Sequence, residues 1–432
     1  MKVRRSADSV YRLVNRKHDH GTTARSIPMT ETLSSAITLS PRTCPFDPPP
    51  ELIEQAEARA ITPVRFPDGH MGWLITGYHL VRAVLADPRF SARQELRHAP
   101  IEHRMVEKGL LPPAEPGMFL RMDPPEHTRY RRLLTGQFTV RHMNRLIPRI
   151  ERIAADRLDA IAEQGPPADL VHEFALPIPS LVICELLGVP YSDREVFQRH
   201  TATLLRLESS LDEVNAAMAG ITGYLDELVR SKAASPGDDL LSGLIETGEL
   251  DQGELVRIAF LLLVAGHETT ANMLALGSFA LLTNPAQLAA LRENPSQIEG
   301  AVEEMLRYAS IFQIGIQRAA LEDVDIDGHH IAKGENVILA VQAANRDPER
   351  FEHADTLDIT RPNNGHLAFG HGVHQCLGQQ LARIEMRIGY RALFERFPDL
   401  RLAIPADEVP MRSDMAIYGV HKLPVTWKEV KQ

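Results

Sequence analysis

The sequence predicts a mainly α-helical fold with minor antiparallel β-sheets. Helical patterns dominate residues 125–284, whereas short β-type runs lie between residues 64 and 76 and again after Arg307. Apolar residues make up 44% of the 432 residues, which is enough for a large core. No Gly/Ser-rich linker, low-complexity block or internal repeat divides the chain. The length is compatible with one large domain or with two or three smaller ones.

The composition argues against several classes of protein. A formal charge of −10 disfavours a nucleic-acid partner, because binding phosphates requires a basic surface. The three cysteines, Cys44, Cys184 and Cys376, lie far apart, which is unlike a disulfide framework and fits a reducing cytoplasm. The longest apolar run, residues 258–266, is well short of the roughly 20 residues that cross a bilayer. We therefore expect a cytoplasmic protein with no membrane span.

Residues 1–42 are expected to form an N-terminal extension, disordered in part, ahead of a domain over residues 43–432. The first 28 residues are basic and polar but lack the apolar stretch of a secretory signal. Met29 begins the segment Met-Thr-Glu-Thr, which looks like a more natural start. Our hypothesis is that residues 1–28 lie upstream of the native start. Their deletion is then expected to leave cofactor content and activity unchanged.

Local signals place the first elements of the domain. Successive prolines make residues 43–50 extended. Residues 64–69 and 72–76 predict a β-hairpin with an Asp-Gly turn. Residues 100–120 contain several prolines and a glycine and predict a mobile loop, after which helices begin near residue 125.

The longest predicted helix begins at a capping box, in which Asp251 is the cap and Glu254 follows three residues later. It runs to about Asn284, where Pro285 ends it. At about 1.5 Å per residue the helix is roughly 50 Å long, enough to cross the molecule. Beyond it, short strands are predicted at residues 314–318, 324–341, 400–402 and 417–427.

Polar residues interrupt this long apolar helix at Ala265-Gly266-His267-Glu268-Thr269-Thr270. Glycine and threonine are poor choices for a helix interior, and a broken local rule in a buried element often marks a functional site. Gly266 would let a flat ligand approach, and Thr269 could donate to a backbone carbonyl and open the helix locally. A solvated polar patch on an amphipathic helix is the alternative interpretation.

The most informative segment is Phe369-Gly370-His371-Gly372-Val373-His374-Gln375-Cys376-Leu377-Gly378, called here the cysteine loop. Gly370 and Gly372 allow a tight loop beneath a flat ligand. A helix-like run follows over residues 377–383, and the unpaired N–H groups and dipole at a helix start favour a thiolate. We therefore expect Cys376 to be an ionised metal ligand.

Other interpretations of Cys376 are weaker. A lone cysteine is often a small buried apolar residue. His366, His371 and His374 lie nearby and suggest zinc, but no fourth close ligand is evident. A covalently attached haem would need Cys-x-x-Cys-His, which is absent, so any haem is held without a covalent bond.

The pattern Phe-Gly-x-Gly-x-His-x-Cys-x-Gly, continued by Leu-Ala-Arg-Ile-Glu at residues 381–385, resembles the haem-binding loop of the cytochromes P450. The resemblance extends from about residue 43 to the end of the chain. Residues 44–49 and 416–421 are similar to the soluble actinobacterial type. The resemblance implies a cytochrome P450 fold in one domain, with haem b between the long helix and the cysteine loop. It makes Cys376 the iron ligand, with Phe369 and Gly378 beside the haem.

The same resemblance assigns roles on the long helix and around the haem. Ala265 and Gly266 would lie against the haem, and Glu268 and Thr269 would be the acid–alcohol pair of oxygen activation, with Glu268 relaying protons. His267 would pack or form a helix–helix hydrogen bond. The haem propionates would be held by four residues: His127, Arg131, Arg318 and His374.

The motif Glu304-Met305-Leu306-Arg307 places opposite charges on one helical face. By resemblance, Glu304 and Arg307 form a buried pair that supports the haem loop, and Arg361 is their third partner. Arg350, which lies in a similar local sequence, is not expected to join them.

The resemblance implies a haem-thiolate monooxygenase that hydroxylates or epoxidises a hydrophobic, medium-to-large compound with O2. Polyketides, macrolides, statin-like acids and secosteroids are examples. The chain has no evident nucleotide-binding fingerprint, so NAD(P)H-derived electrons would come through a ferredoxin and its reductase. Ferredoxins are acidic, so a basic surface around Arg129, Arg132 and Arg383 is expected on a monomeric protein. A peroxygenase and a non-catalytic haem-binding protein are the alternatives.

The substrate pocket is also assigned by resemblance, and an apolar core role is the alternative for each residue. The expected lining comes from the loop before residue 121, the long helix, residues 311–316 and the C-terminal strand region. Its members are Met118, Leu262, Val264, Ile314, Ile316 and Ile417. Arg93, which follows Phe90-Ser91-Ala92, could meet a substrate carboxylate, and a solvated arginine is the alternative there.

Overall fold

Helices build most of the regular structure, and small sheets flank them. The computed structural model describes residues 34–35, 40–101, 110–362 and 365–431. Within this part of the chain, the residues from Ser34 onward belong to one compact unit. The predicted mainly α fold class with minor sheets is confirmed. Of the predicted extension over residues 1–42, only residues 34–35 and 40–42 are described. The predicted mobile loop is outside the described residues at 102–109.

The described helices have the following bounds: α1 (Pro50–Ala58), α2 (Tyr78–Ala86), α3 (Glu126–Thr135), α4 (Val140–Arg145), α5 (Ile147–Gln164), α6 (Pro177–Leu187), α7 (Arg194–Leu205), α8 (Leu211–Ala234), α9 (Leu240–Glu246), α10 (Gln252–Thr283), α11 (Pro285–Glu293), α12 (Ile298–Ala309), α13 (Val341–Ala344) and α14 (Gln379–Arg396).

The described strands have the following bounds: β1 (Ser34–Ser35), β2 (Ile61–Arg65), β3 (Met71–Ile75), β4 (Phe90–Ser91), β5 (Ala168–Asp169), β6 (Ile316–Ala320), β7 (Val324–Ile326), β8 (His329–Ile331), β9 (Asn336–Leu339), β10 (Arg401–Leu402) and β11 (Pro424–Thr426).

The strands form one larger sheet and two small ones. The six-stranded sheet has the order β1-β2-β3-β9-β6-β4, the three-stranded sheet the order β10-β11-β5, and β7 and β8 form a hairpin. The predicted hairpin at residues 64–76 is present as β2 and β3, and Gly69 takes a φ of +88° at its turn. The larger sheet is mixed, because β1 pairs with β2 and β3 pairs with β9 in parallel. The other strand pairs are antiparallel as expected, and these two are parallel because residues distant in sequence supply the neighbouring strands.

Helix α10 is the central element of the fold. The capping box predicted from the sequence is present: the Asp251 side chain accepts from the Glu254 N–H, and the Glu254 side chain accepts from the Asp251 N–H. The helix ends at Thr283, immediately before Asn284 and the proline that starts α11. It packs against α6, α8, α12 and α14, and its apolar side chains belong to the largest core cluster. This packing holds the interrupted segment at residues 265–270 rigidly beside the cysteine loop.

By length and composition alone, α10 could cross a membrane, and it is the one such helix among the described residues. In its most apolar stretch, 78% of the residues are buried inside the protein. The apolarity of α10 is therefore explained by its place in the core.

Candidate active site

A single cavity lies between α10 and the cysteine loop. It encloses about 1480 Å³ free of protein atoms, including its opening. Its walls are mostly apolar, and few of the side chains that line it are reactive or ionisable. Of the residues expected at the haem or the substrate, these line it: Leu262, Ala265, Gly266, Thr269, Ile316, Phe369, His374, Cys376 and Gly378.

The cysteine loop is tightly folded at one end of this cavity. Gly370 and Gly372 have φ values of +68° and +74°, which glycine adopts most readily. A Cβ atom on Gly372 would lie 2.4 Å from the carbonyl oxygen of Leu85, so only glycine fits against α2. The N–H of Cys376 donates to the carbonyl oxygen of Phe369 at 2.9 Å. The loop therefore presents Cys376 to the cavity, with α14 starting three residues later.

Opposing effects act on the Cys376 thiol. Burial raises its pKa, while the N–H groups of Gly378 and Gln379 and the charges of Arg131 and Arg383 act to lower it. That the helix start keeps this sulfur a thiolate stays a prediction, because in the protein alone desolvation opposes the backbone donors. A cationic ligand in the cavity would reverse this balance.

The opposite wall is the interrupted segment of α10. The Thr269 hydroxyl donates to the carbonyl oxygen of Ala265 at 2.8 Å, the bond expected from the sequence. Gly266 lines the cavity, but a Cβ atom on it would lie 2.9 Å from the side chain of Ile183. Close packing of α6 on α10 is thus one physical reason for this glycine, in addition to access for a flat ligand.

Glu268 does not line the cavity. Its carboxylate is buried and forms an ion pair with Arg412 at 3.0 Å. The Asn272 amide donates to the same carboxylate at 3.3 Å, and His267 Nε2 lies 3.8 Å away. The structure therefore separates the predicted acid from the predicted alcohol, although they are adjacent in sequence. A role in proton transfer would require the Glu268 side chain to move or to work through water.

His267 is completely buried and fills the space beside Glu268. Its Nδ1 contacts the carbonyl oxygen of Leu263 at 2.9 Å, within its own helix, and its ring packs against Phe197 of α7. These contacts agree with the expected packing role of His267. Its hydrogen bond lies inside α10 and does not join two helices.

A group of cationic and neutral nitrogen donors lies around His374, which lines the cavity. The rings of His127 and His374 are 4.1 Å apart, and within the described part of the chain neither buried nitrogen of His127 has a hydrogen-bond partner. Burial and the charge of Arg131 lower the pKa of His127 to about 4. Burial, followed by Arg318 and His127, lowers the pKa of His374 to about 3. The structure thus brings together the four residues expected to bind the propionates.

Arg97 belongs to the same group, although the sequence motifs do not predict it as a site residue. Its Nε is buried and has no hydrogen-bond partner in the residues that the structure describes. Burial together with the charges of Arg121 and Arg318 lowers its pKa to about 10. No local motif marks this residue, because its neighbours come from segments more than 20 residues away. Unpaired donors and crowded cations in one place fit a bound ligand with carboxylates, such as the haem propionates. We call Arg97, His127, Arg131, Arg318 and His374 the cation cluster.

Behind the cysteine loop, Glu304, Arg307 and Arg361 form a connected network. Arg307 is fully buried and donates to both oxygens of Glu304 at 2.8 and 2.7 Å. The Arg361 Nε donates to the same carboxylate at 3.2 and 3.1 Å. Arg307 and Arg361 also donate to backbone carbonyls of residues 345–356, which precede the cysteine loop. Arg350 lies instead over the rings of Tyr78 and Phe351.

Several residues expected in the substrate pocket lie elsewhere. Met118 and Val264 pack against the core, and Ile417 is buried in a bridge to Phe312. Ile314 does not line the cavity, and Arg93 forms an exposed ion pair with Glu95. The rest of the lining comes from residues whose side-chain direction the sequence does not reveal, among them Phe138, Ile183, Thr270, Met273, Glu385 and Met386.

The three arginines expected to form a basic surface are each paired with a carboxylate. Arg129 contacts Glu254, Arg132 contacts Glu249 at 2.8 Å, and Arg383 contacts Glu303 at 2.6 Å. Their positive charge is therefore largely compensated. The expected basic surface cannot be built from these three residues alone.

Comparison with known proteins places these features in a family. A sequence profile described as Cytochrome P450 matches residues 202–426. Cytochrome P450 105C1 from a Streptomyces species is 52% identical over 383 residues, which are 88% of this chain and 96% of that protein. Vitamin D3 dihydroxylase from Streptomyces griseolus is 42% identical over 395 residues, covering 90% of this chain and 96% of that protein. The crystal structure of CYP105P1 in complex with filipin I is similar at a TM-score of 0.85 and 45% identity, and the match covers 90% of this chain and 98% of that chain.

Proposed function

The chain belongs to the cytochrome P450 family as a monooxygenase, and from this premise we propose that it hydroxylates or epoxidises a hydrophobic compound of medium to large size, with electrons from a ferredoxin. One observation carries the proposal. The same mostly apolar cavity is bounded by Cys376 on one wall and by Thr269 on the other. A substrate held there lies between a metal ligand and a hydroxyl that can hold a proton.

We propose haem b as the cofactor. Cys376 would be its axial ligand, and the cation cluster would pair with its two propionates. Both ring nitrogens of His127 and the Nε of Arg97 are buried with no hydrogen-bond partner among the described residues, which supports this assignment. When bound, the haem supplies the iron chemistry that activates O2. Ala265 and Gly266 on one face, and Phe369 and Gly378 beside the cysteine, would hold its plane.

The polar residues of α10 would bind and transfer protons in this site. Thr269 faces the cavity and can exchange its bond to the Ala265 carbonyl for one to a water or to the reacting oxygen. Glu268 would reach the cavity to relay a proton only after its contact with Arg412 loosens. Both steps depend on exclusion of bulk water, for which the apolar walls are suited.

The substrate would be a polyketide, macrolide, statin-like acid or secosteroid. The apolar lining supports a hydrophobic compound, with aromatic rings from Phe119, Phe138 and Phe312 and few polar groups to bind it. Among the relatives, one is named for vitamin D3 and another structure holds filipin I, so compounds of these types are the first to test.

We propose that the ferredoxin binds a basic groove on the outer side of the cysteine loop. The groove is lined by Arg82, Arg350, Arg383 and by Gly370 and Gln375 of the loop, with Glu303 as its carboxylate. The guanidinium groups of Arg82, which is exposed, and Arg383 face the single carboxylate of Glu303, and the excess positive charge lies close to Cys376. The protein would work as a monomer in the cytoplasm, where such a carrier is available.

The first test is spectroscopic and then functional. The reduced protein with carbon monoxide should give the band typical of a thiolate-bound haem, and Cys376→Ser should lose it. A panel of the four compound classes is then screened for the shift of the Soret band from low spin to high spin. Turnover of the compounds that shift it, with ferredoxin, reductase and NADPH, should yield an oxygenated product. Product formed only with hydrogen peroxide would favour a peroxygenase, and no product at all a non-catalytic haem protein.

The groove has its own test. Arg82→Glu should slow ferredoxin-driven reduction on the order of tenfold at low ionic strength, because charge steering governs such encounters. The difference should shrink as salt is added. Arg199→Glu, on the exposed face of α7 and outside the groove, is the matched control and should have little effect. Equal loss in both variants would exclude the groove as the docking surface.

A further inference from the structure

Two histidine rings lie face to face between the β2–β3 hairpin and the segment that follows β4. The rings of His70 and His98 are parallel within 4°, with centroids 3.7 Å apart, and Phe66 meets both edge-on. His98 Nδ1 contacts one oxygen of the Asp68 carboxylate, and the other oxygen accepts from the His70 N–H at 3.0 Å. We call the two rings and this carboxylate the histidine stack.

The histidine stack tolerates one positive charge on its rings but not two. A single charge is balanced by Asp68, whereas a second proton would place two cations face to face at 3.7 Å. Burial, followed by the charge of His98, lowers the pKa of His70. The His70 Nε2 is also buried with no hydrogen-bond partner among the described residues, so no acceptor is in place for an added proton.

Asp68 and Glu335 act in the opposite direction on His70, but they do not outweigh burial and His98. Glu335 lies immediately before β9, and its Oε2 accepts from the Trp73 indole N–H at 2.7 Å. Because folding lowers the pKa of His70, the histidine stack stabilises the fold fully above about pH 6.5, where the unfolded ring is neutral. This contribution is lost as the pH falls below that value.

The histidine stack also fixes the chain next to Arg97 of the cation cluster. The His98 N–H donates to Asn336 Oδ1 at 2.9 Å, and Asn336 Nδ2 donates to the Leu96 carbonyl oxygen at 2.9 Å. Asn336 is buried in β9, so both chain neighbours of Arg97 are tied to the six-stranded sheet. The ring of His98 adds a second tie, to the β2–β3 hairpin. The backbone that carries Arg97 is therefore held from two sides.

We propose that the histidine stack is a positioning site for Arg97 that mild acid releases. A second proton, taken from solvent, separates the rings and frees His98 from the hairpin. Arg97 then loses its fixed place beside the propionates, and haem is held less tightly. The inference rests on the haem cofactor of the proposed function. It gives a role to residues that the reaction does not use, because His70, His98 and Asp68 do not line the cavity.

Haem release to apomyoglobin, measured at about pH 7.5 and 5.5 on the haem-loaded protein, tests the proposal. His70→Phe keeps an aromatic ring against His98 and cannot take up a proton. Its carbon monoxide spectrum and its haem release at the higher pH should therefore match those of the natural protein. At the lower pH the natural protein should release haem on the order of tenfold faster than His70→Phe, which is the scale of one bond from a charged group.

The matched control is His330→Phe, because His330 has a carboxylate partner of the same kind, Asp325 at 2.9 Å, on the exposed hairpin β7–β8. This variant should follow the natural protein at both pH values. Equal release from the natural protein and His70→Phe at the lower pH overturns the proposal.

A double variant tests the route through Arg97. In the Arg97→Gln background, adding His70→Phe should change haem release at the lower pH by less than about twofold, since the propionate bond is already lost. A tenfold difference that persists in this background would show that the histidine stack acts elsewhere, and it overturns the proposal.

Histidine-ring NMR signals of the reduced, carbon monoxide-bound protein, which is diamagnetic, follow the protonation itself. The His70 signal, identified by its loss in His70→Phe, should titrate at a higher pH in His98→Gln, because the neighbouring charge is gone. An unchanged midpoint overturns the proposal. If the protein binds no haem, the proposed function fails, whereas the same titration on the apoprotein still decides whether the two rings compete for a proton.

Discussion

Glu268 and Arg412 form a buried ion pair, although they are more than 140 positions apart in the sequence. Arg412 comes from the C-terminal segment, and its N–H donates to the carbonyl oxygen of Gly419, which fixes its backbone. Both side chains are at least nine-tenths withdrawn from solvent. Removing one partner of such a pair leaves the other charged and buried, which is far more costly than losing an exposed pair.

Arg412→Gln should therefore lower the free energy of unfolding by about 3–5 kcal/mol in urea denaturation. The double variant with Glu268→Gln should lose clearly less, because no isolated charge remains. Arg230→Gln, which removes an exposed pair with Asp226, is the control and should cost under about 1 kcal/mol. If Arg412→Gln costs no more than this control, the pair is not a stabilising contact of the folded protein.

Arg97 is expected to lower the stability of the apoprotein and to raise the stability of the haem complex. Its charge is crowded by Arg121 and Arg318, which disfavours the apoprotein, whereas a propionate would pair with it. Arg97→Gln should release haem to apomyoglobin about ten to a hundred times faster, since a bond to a charged group is worth roughly 1.5–3 kcal/mol.

The same Arg97→Gln variant should leave the apoprotein equally or more stable in urea. Arg93→Gln removes a 48% exposed arginine that is paired with Glu95, and it should change neither property. Equal haem release from both variants would remove Arg97 from the cation cluster.

Individual site residues could be predicted from the sequence where their partners lie close by along the chain, and not where the partners are distant. The cysteine loop and the Thr269–Ala265 bond are local, and their residues could be named from the sequence. Arg97 and Arg412 obtain their environment from packing between distant segments, so no spacing rule predicts them. For Cys376 the local donors are visible in the sequence, whereas the opposing effect of burial on the thiol's pKa becomes visible only in the folded protein.

Among the secondary-structure elements, α3 and the start of α10 are joined through one carboxylate. Glu254 closes the capping box and also accepts from Arg129 and from the Tyr130 hydroxyl, the latter at 2.6 Å. The Arg129 bond is the main reason that the pKa of Glu254 falls to about 2, with smaller help from Tyr130 and against the effect of burial. Since α3 carries His127 and Arg131, this contact sets where the cation cluster meets the long helix.

Glu254→Gln should destabilise the protein by about 1–3 kcal/mol at pH 7, because charge-assisted bonds are lost. In the natural protein this contribution is complete above about pH 4.5, where the unfolded carboxyl is ionised. As pH falls, the unfolded state takes up the proton first, so the contribution is lost between about pH 4.5 and 2. Urea unfolding at pH 7 and pH 3.5 should show the two proteins converging in acid. A gap that stays constant would contradict the assignment of this carboxylate.

The elements themselves were predictable where local chemistry specifies them. The capping box of α10, its proline-marked end and the hairpin turn at Gly69 all follow from neighbouring residues. The parallel neighbours of β2 and β3 do not, because β1 and β9 reach the sheet from other parts of the chain. The region expected as strand over residues 417–427 is mostly irregular, with β11 at Pro424–Thr426, since its backbone groups bond to segments near residues 311 and 410.

For the whole molecule, the C-terminal segment links the long helix to the cavity. Gln313 donates to carbonyl oxygens of Ser413 and Met415, and Ile417 pairs with Phe312, which lines the cavity. Gly419 lies directly on α10. A displacement of this segment would therefore reach the substrate wall and the Glu268–Arg412 pair together.

Gly419→Ala tests this linkage across the molecule. The added Cβ would lie 1.9 Å from Asn272 Oδ1, and Asn272 is held by the carbonyl oxygen of Glu268 at 2.7 Å, so the segment or the helix must shift. We expect a loss of about 1–3 kcal/mol in unfolding free energy. We also expect a weaker Soret response to substrate, measured by titration, because Phe312 moves with the segment.

Gly223→Ala on α8 is the matched control: no atom lies within 4 Å of the new methyl group, and helix propensity should stabilise that variant by about 0.5–1 kcal/mol. A destabilised Gly419→Ala with an unchanged substrate titration would show that the C-terminal segment supports the fold without shaping the cavity.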